Sequence, residues 1–320
     1  MATLAVEPVV LRLRSPLRAA WGELREREIL RVRLTFGDDD WGEGEAAPLE
    51  PYDGVPLAVV RSALDAYASV AAAADPGELL AACAAERDFP QALAAIDLAL
   101  WDRALRRGER ERPGGPVPVN ATVGAEDRAG AASAAAAAAA AGFRCVKVKV
   151  GVGDDAGRVA AVRAAVGERV ALRVDANGAW RTPDEALANL EALAPSGIEL
   201  CEEPMHGVDA LRELRDRSPI PIAMDETHAP RSGAGDFVCL KITRSGGIGG
   251  VLRDAAAARA AGSGVYVSST FDGPLGIAAG VHAAAVLMES GPMAACGLAT
   301  SDALVARDGA ITVPAGPGLL

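Results

Sequence analysis

From residue 117 to about residue 299 the sequence repeats one short unit eight times, and no other feature narrows the fold as much. β-rich runs occur at Val117–Val123, Val146–Val150, Leu172–Asp175, Ile198–Glu202, Ile220–Asp225, Val238–Ile242, Val265–Ser269 and about Ala294–Ala299. Stretches with an Ala/Leu/Arg helix pattern separate them, so strand and helix alternate. The interval between the fifth and sixth runs is short, which predicts an abbreviated helix there. Eight such units predict a closed α/β barrel; a doubly wound open sheet is the alternative that alternation leaves open.

A different pattern precedes the repeat. Val9–Leu13 and Ile29–Leu34 alternate apolar and polar residues, predicting antiparallel strands joined by a turn or loop. Helical patterns follow over 55–73 and 77–86, and Asp88-Phe89-Pro90 punctuates. Gln91 to Arg107 then reads as an amphipathic helix with Leu93, Ile96, Leu100 and Leu105 as its apolar stripe. The tract Ala131–Ala141 is helical in this context, and Gly142 stops it. The first ~90 residues therefore predict a separate α+β layer, a size ordinary for a second domain.

Composition removes several function classes. The formal net charge is −11, and only four Trp, three Tyr and five Phe are present. A nucleic-acid surface needs a basic stripe or a stacking platform, and neither is visible. No apolar run reaches the ~18 residues that a membrane span needs, and the N-terminus lacks the pattern of a signal peptide. Cys83, Cys145, Cys201, Cys239 and Cys296 are odd in number and never closely paired, which predicts reduced thiols in a cytoplasmic protein.

The basic residues carry the first chemical clue. Of 32, only three are lysine: Lys147, Lys149 and Lys241. Arginine serves wherever a plain positive charge suffices. Compositional drift explains few lysines, but not two in Val146-Lys-Val-Lys-Val150. Lysine, unlike arginine, can have its pKa lowered until it exchanges protons near neutral pH. Strand side chains alternate, so Lys147 and Lys149 point to one side.

In a barrel, groups at the C-terminal ends of strands converge on one site. The third run ends Arg173-Val-Asp175-Ala-Asn177, the fourth Cys201-Glu202-Glu203-Pro204, the fifth Met224-Asp225-Glu226 and the sixth Leu240-Lys241-Ile242. Ionised groups inside a barrel are costly unless paired, so five successive polar strand ends read as a site. Asp175, Glu202 and Asp225 offer hard oxygen donors, which suit Mg²⁺. His206, His228 and His282 are scattered singly, which argues against zinc. A cation beside a substrate carboxylate, with lysines on either side, fits abstraction of a proton α to that carboxylate. Gly246-Gly247-Ile248-Gly249-Gly250 reads as a tight turn, or as a cradle for a substrate carboxylate at a helix N-terminus. Gly151-Val-Gly153 lacks the third glycine of a dinucleotide motif.

Lys147-Val-Lys149, Asp175-Ala-Asn177, Glu202-Glu203-Pro204, Asp225-Glu226 and Lys241, in this order, resemble the enolase superfamily, muconate-lactonizing subgroup. Trp41-Gly-Glu43-Gly-Glu-Ala-Ala-Pro48 and Ala95-Ile-Asp-Leu-Ala-Leu-Trp-Asp102 resemble that subgroup's capping domain and its junction with the barrel. The resemblance covers nearly the whole chain. It implies an α/β fold, a modified (β/α)7β TIM-type barrel with an N-terminal α+β capping domain. The capping domain would span residues 1–90, with a tail of about 301–320 packed back on it, and the barrel residues 91–300. It implies Mg²⁺, replaceable by Mn²⁺, on Asp175, Glu202 and Asp225. Lys149 would be the base on one face of the substrate and Lys241 the opposed lysine. Lys147 would help depress the pKa of Lys149. Asn177 and Glu226 would be supporting positions. Of the doubled glutamates, the first would be the ligand, with Glu203 pointing the other way.

Within the subgroup, the compact length and Arg173 resemble the o-succinylbenzoate synthases of menaquinone biosynthesis, particularly the actinobacterial ones. Such enzymes dehydrate 2-succinyl-6-hydroxy-2,4-cyclohexadiene-1-carboxylate. The resemblance makes Ser268 and Ser269, with Arg173, Gly246 and Gly247, candidates for substrate binding or support, and the expected partner a small carboxylate. The seventh-strand segment Val267–Gly273 and the eighth-strand segment Cys296–Thr300 depart from those enzymes. An N-acylamino-acid racemase or dipeptide epimerase is the nearest rival, and Asp272 is the residue that keeps it open. Muconate cycloisomerase comes third. A non-catalytic barrel serving as a binding module is weak, because every motif position is chemically competent. Oligomeric state is not legible in the sequence.

Overall fold

The computed structural model describes residues 2–19 and 22–320. Its N-terminal part is an antiparallel sheet of β1 (Thr3–Ala19), β2 (Gly22–Gly37) and β3 (Asp40–Ala46), in that order. The two predicted short strands thus belong to one long ladder, registered from Thr3 opposite Thr35 to Ala19 opposite Gly22. Leu30, Val32 and Leu34 face one side of β2 and are buried, while Arg31 and Arg33 alternate with them. Four helices follow: α1 (Glu50–Asp53), α2 (Leu57–Ala71), α3 (Leu79–Glu86) and α4 (Pro90–Arg106). Val60, Leu64 and Tyr67 of α2 and Leu79 and Cys83 of α3 close over that sheet face.

Helix α4 is the wall shared by both halves. Leu93, Ile96 and Ala99 enter the N-terminal core, whereas Leu98, Trp101 and Leu105 enter the barrel core. The glycines of the Trp41–Ala46 motif explain how α4 lies so close. A Cβ at Gly42 or Gly44 would strike the α4 backbone at Ala99 or Ala95, so sheet and helix meet without intervening side chains.

The barrel strands are β5 (Ala121–Val123), β6 (Cys145–Lys149), β7 (Ala171–Asp175), β8 (Ile198–Glu202), β9 (Ile222–Met224), β10 (Phe237–Lys241) and β11 (Gly264–Ser268); β4 (Pro116–Pro118) lies outside them. All seven run parallel and pair in chain order. The eighth run is not a strand. Two isolated parallel bridges, Val119 with Cys296 and Ser268 with Gly297, seat it between β11 and the start of β5 and complete the ring. The protein is therefore an α/β chain with a TIM-type barrel.

Helices α5 (Arg128–Ala140), α6 (Asp155–Val166), α7 (Pro183–Leu193), α8 (Val208–Arg215), α9 (Ile242–Ser245), α10 (Ile248–Ala260) and α11 (Pro274–Glu289) connect and cover the strands. The alanine tract forms α5, started by Asp127, whose carboxylate accepts from Gly130 N at 2.8 Å. The abbreviated helix expected between the fifth and sixth strands is absent. Asp236 holds that connector instead, accepting from Ile222 N at 2.9 Å and from Arg215 at 2.8 Å. The extra single-turn helix, α9, comes one strand later.

The tail also differs from expectation. Rather than lying on residues 1–90, it forms β12 (Ala310–Thr312), antiparallel to β4, and Leu319 N bonds Asp102 of α4 at 2.6 Å. Ile311 and Leu319 are apolar and join the barrel core, which is why the tail goes there. No helix among the described residues is long and apolar enough to cross a membrane. All five cysteines are buried and unpaired.

Candidate active site

The outward faces of the barrel strands are apolar and meet the helices. The inward faces change character with height. Leu200, Ala223, Cys239 and Tyr266 form a small buried cluster inside the barrel, and charged residues stand beside and above it. Register explains the layering: Lys149 lies opposite Asp175 and Asp175 opposite Glu202, so three neighbouring strands place these side chains in one row. Lys147 sits in the row below, opposite Arg173.

The ion pairs are dense. Lys147 Nζ lies 2.8 Å from Asp175 Oδ2 and 3.0 Å from Glu202 Oε1. Lys149 Nζ reaches the same Asp175 oxygen at 2.6 Å and Asn177 Oδ1 at 2.5 Å. Across the barrel mouth, Lys241 Nζ lies 2.6 Å from Asp225 Oδ2. Arg244 reaches Asp225 Oδ1 at 3.1 Å and its backbone carbonyl. Burial opposes charge on all three carboxylates, but the ammonium groups win at two of them. Lys147 and Lys149 hold Asp175, and Lys241 and Arg244 hold Asp225, far below the usual carboxylate range. At Glu202 burial prevails over Lys147 and raises its pKa. Against the cost of its own burial, Lys241 is held above its usual pKa by Asp225.

The two flanking lysines differ in access. The Lys149 side chain is 30% exposed and the Lys241 side chain 5%. Lys241 is enclosed by Tyr52 of α1, whose hydroxyl accepts from Lys241 and donates to Asp225 Oδ2 at 2.5 Å. The N-terminal layer thereby supplies a site residue from 173 positions away. Asn177 joins two strand ends, accepting from Lys149 and donating through Nδ2 to Glu226 Oε1 at 3.0 Å. Burial and the Asp225 charge push Glu226 up to about 7.

The doubled glutamates part company. Glu202 points inward, and Tyr266 donates to its Oε2 at 2.6 Å. Glu203, at φ 38°, turns the other way and accepts from Asp225 N at 2.7 Å, Thr227 N at 2.9 Å and Thr227 Oγ at 2.5 Å. Those bonds hold Glu203 in a backbone region that non-glycine residues rarely occupy.

Of five other candidates, two glycines make a turn and three side chains have partners within the protein. Arg173 is 1% exposed and bonds Glu199 Oε2 at 2.5 Å and Ala295 O at 2.6 Å, below the carboxylates. The register shift opposite Leu172 and Arg173 aims Glu199 at it. Its guanidinium lies over the Tyr266 ring, 5.2 Å from the centroid. Gly246 and Gly247, at φ 77° and 105°, make the turn between α9 and α10. That helix N-terminus already has an anion, because Asp97 Oδ2 of α4 accepts from Gly249 N at 3.2 Å, and a Cβ at Gly247 would collide with Asp97. Ser268 ends β11 and Ser269 follows it. Ser268 bonds Gly297 O at 3.3 Å, and Ser269 pairs with Thr300 at 2.7 Å.

Tyr52, Tyr266, Cys239 and Arg244 also belong to the site and were not singled out from the sequence. Tyr266 and Cys239 share the inward face of their strands with Ser268 and Lys241, so the two-residue period was a usable signal. Arg244 is one arginine among many, and nothing local marks Tyr52.

Asp175, Glu202 and Asp225 suit a hard divalent cation in donor chemistry, and Glu202 and Asp225 each have a carboxylate oxygen within 4.8 Å of the other and of Cys239 Sγ. Asp175 lies outside that tight group and is paired with Lys147 and Lys149.

Residues 130–319 match the family described as Enolase C-terminal domain-like. The chain is 30% identical over 310 residues, 87% of its length and 82% of the other's, to L-Ala-D/L-Glu epimerase of Bacillus subtilis. The solved substrate-liganded structure of that epimerase superposes with a TM-score of 0.87 at 26% identity, covering 99% of this chain and 97% of that one. An o-succinylbenzoate synthase of Thermobifida fusca is 40% identical over 197 residues, but the match spans only 58% of this chain and 59% of that protein. A dipeptide epimerase from Cytophaga hutchinsonii, solved with Mg and the dipeptide D-Ala-L-Val, has a TM-score of 0.86 at 26% identity, covering 99% of this chain and 95% of that one. The chain belongs to the enolase superfamily and is an enzyme of that superfamily.

Proposed function

We propose that the enzyme removes a proton α to a substrate carboxylate and completes a syn dehydration, as an o-succinylbenzoate synthase of menaquinone biosynthesis. Asp175, Glu202 and Asp225 would hold Mg²⁺, and Mn²⁺ would substitute. Bound there, the cation supplies positive charge against the substrate carboxylate and lowers the cost of its second negative charge. Lys149 takes the α-proton. As the ammonium it then protonates the departing hydroxyl on the same face; water leaves and the ring double bond forms. Lys147 is buried behind it and pairs with Asp175 and Glu202. Lys241 stays cationic on the other face, and Asn177 and Glu226 orient the Lys149 side. The five reduced thiols accord with action in the cytoplasm.

The difference in access between the lysines is the observation that carries this reading. A same-face elimination needs one lysine free to cycle its proton and one fixed cation. Lys149 is the open one, and Lys241 is enclosed by Asp225, Tyr52 and Arg244. A two-base epimerase would need proton traffic at both.

Dipeptide epimerisation is the second reading, favoured by the near full-length similarity to L-Ala-D/L-Glu epimerase. Asp272 is buried and one of its carboxylate oxygens has no hydrogen-bond partner among the described residues, which gives that reading an acidic group to consider. The deciding experiment incubates the Mg²⁺-loaded enzyme with the cyclohexadiene carboxylate, with Ala-Glu dipeptides and with N-succinyl amino acids, in ²H₂O. Dehydration as the fastest reaction is expected. Stereoinversion with deuterium incorporation, without dehydration, would replace the proposal with the epimerase or racemase reading.

A further inference from the structure

Cys239 stands where the proposed Mg²⁺ chemistry has no use for it. It lies on β10 two residues before Lys241 and shares the inward face with that lysine. The residue is 0% exposed, and its Sγ makes no hydrogen bond among the described residues. Its Sγ and one carboxylate oxygen each of Glu202 and Asp225 lie within 4.8 Å of one another. The four other thiols do not share this position. Cys201, next to Glu202 in sequence, faces the opposite side of β8 and packs in the core between strands and helices.

We propose that the centre contains two overlapping donor sets that share Glu202 and Asp225. Asp175 completes a hard, all-oxygen set for Mg²⁺; Cys239 completes a softer set that takes a thiophilic divalent ion, Zn²⁺ or Cd²⁺. The inference rests on the Mg²⁺ reading above and concerns its regulation. Thiolate sulfur favours such ions over Mg²⁺, and Zn²⁺ accepts both thiolate sulfur and carboxylate oxygen as ligands. Binding releases the thiol proton to solvent, and no oxidation or reduction is involved. The arrangement in the structure favours the second set, since Glu202, Asp225 and Cys239 each offer a donor atom within 4.8 Å of the other two, a group that does not include Asp175. An ion held by Cys239 sits on two ligands that Mg²⁺ needs, so the two ions compete and the softer one switches the enzyme off.

The test is direct observation of sulfur ligation. Metal-free full-length enzyme is loaded with ¹¹³Cd²⁺ and its NMR shift recorded, which needs no variant; Co²⁺ loading is followed in parallel by the thiolate-to-cobalt charge-transfer band in the near ultraviolet. A shift in the range for mixed sulfur and oxygen ligands, with a charge-transfer band, is expected. Cys239→Ser should remove the band and weaken Cd²⁺ binding by about tenfold or more, whereas Cys201→Ser and Asp175→Asn should keep the band. An all-oxygen shift and no band in the wild type would overturn the proposal while leaving Mg²⁺ binding intact. Mg²⁺ affinity unchanged in Asp175→Asn, with the band present, would instead overturn the Mg²⁺ ligand assignment and leave the softer set standing.

Discussion

Glu45→Gln isolates a buried charge where the N-terminal layer meets the barrel. Glu45 of β3 is 2% exposed; its Oε2 accepts from Leu275 N at 3.1 Å at the start of α11, and the backbone N–H groups of Gly273 and Gly276 also face its carboxylate. Burial, aided by the charge of nearby Asp272, pushes its pKa from the usual 4.5 to about 7. Asp272 is itself raised to about 6 by burial, against the pull of Arg27. The folded protein therefore keeps the Glu45 proton to higher pH than the unfolded chain does. Below 4.5 both states are protonated and the group is neutral to stability. Between 4.5 and about 7 the unfolded chain ionises first, so stability falls as pH rises. At about 1.4 kcal/mol per pH unit, the loss at pH 8 is about 3 kcal/mol. The helix N-terminus works in the other direction, but its usual effect is under about 1 kcal/mol, so burial decides the sign. Glutamine keeps the oxygen for Leu275 N and offers an N–H toward Asp272. Urea denaturation followed by circular dichroism should show the variant more stable by up to about 3 kcal/mol near pH 8 and equal to wild type near pH 4.5. A variant destabilised by the same amount at both pH values would refute the reasoning, because it would mean that Glu45 is ionised and bound to the helix end throughout.

Lys149→Arg retains the cation beside Asp175 but cannot give up a proton near neutrality, so turnover should fall by about 10²–10⁴-fold or more with circular dichroism unchanged. Lys241→Arg should retain measurable dehydration, because only a cation is required there; loss greater than in Lys149→Arg would reverse the assignment of base. Glu202→Gln should weaken Mg²⁺ binding, read by calorimetry. Glu203→Gln should instead lower stability by about 1–3 kcal/mol, read by thermal unfolding, because an amide would face the N–H donors of Asp225 and Thr227. Chelation should abolish activity and Mg²⁺ or Mn²⁺ restore it; full turnover in thoroughly metal-free enzyme would remove the ligand assignment.

What could be read from the sequence was whatever depends on a period. Alternation along single strands placed Lys147 and Lys149 together, put Asp175 and Glu202 at strand ends, and gave the barrel its eight units. The helix pattern located α4, although its two buried faces made a single apolar stripe an understatement. What stayed hidden depends on closure. The eighth segment holds its place by two bridges, and so few contacts leave no strand-length signature. The glycine run after Lys241 is compatible with a bound carboxylate, and only the packing of α4 reveals that Asp97 already fills that position. Tyr52 illustrates the limit most clearly. Its four-residue helix has no periodicity to read, yet its hydroxyl lies between Lys241 and Asp225 because β3, α4 and the barrel mouth are held in fixed relation by glycine-to-backbone contact. The same contact brings the N-terminal layer to the candidate site. Tyr52 joins Asp225 in enclosing one flanking lysine and does not contact the other, so part of the asymmetry between Lys241 and Lys149 comes from outside the barrel that carries them both.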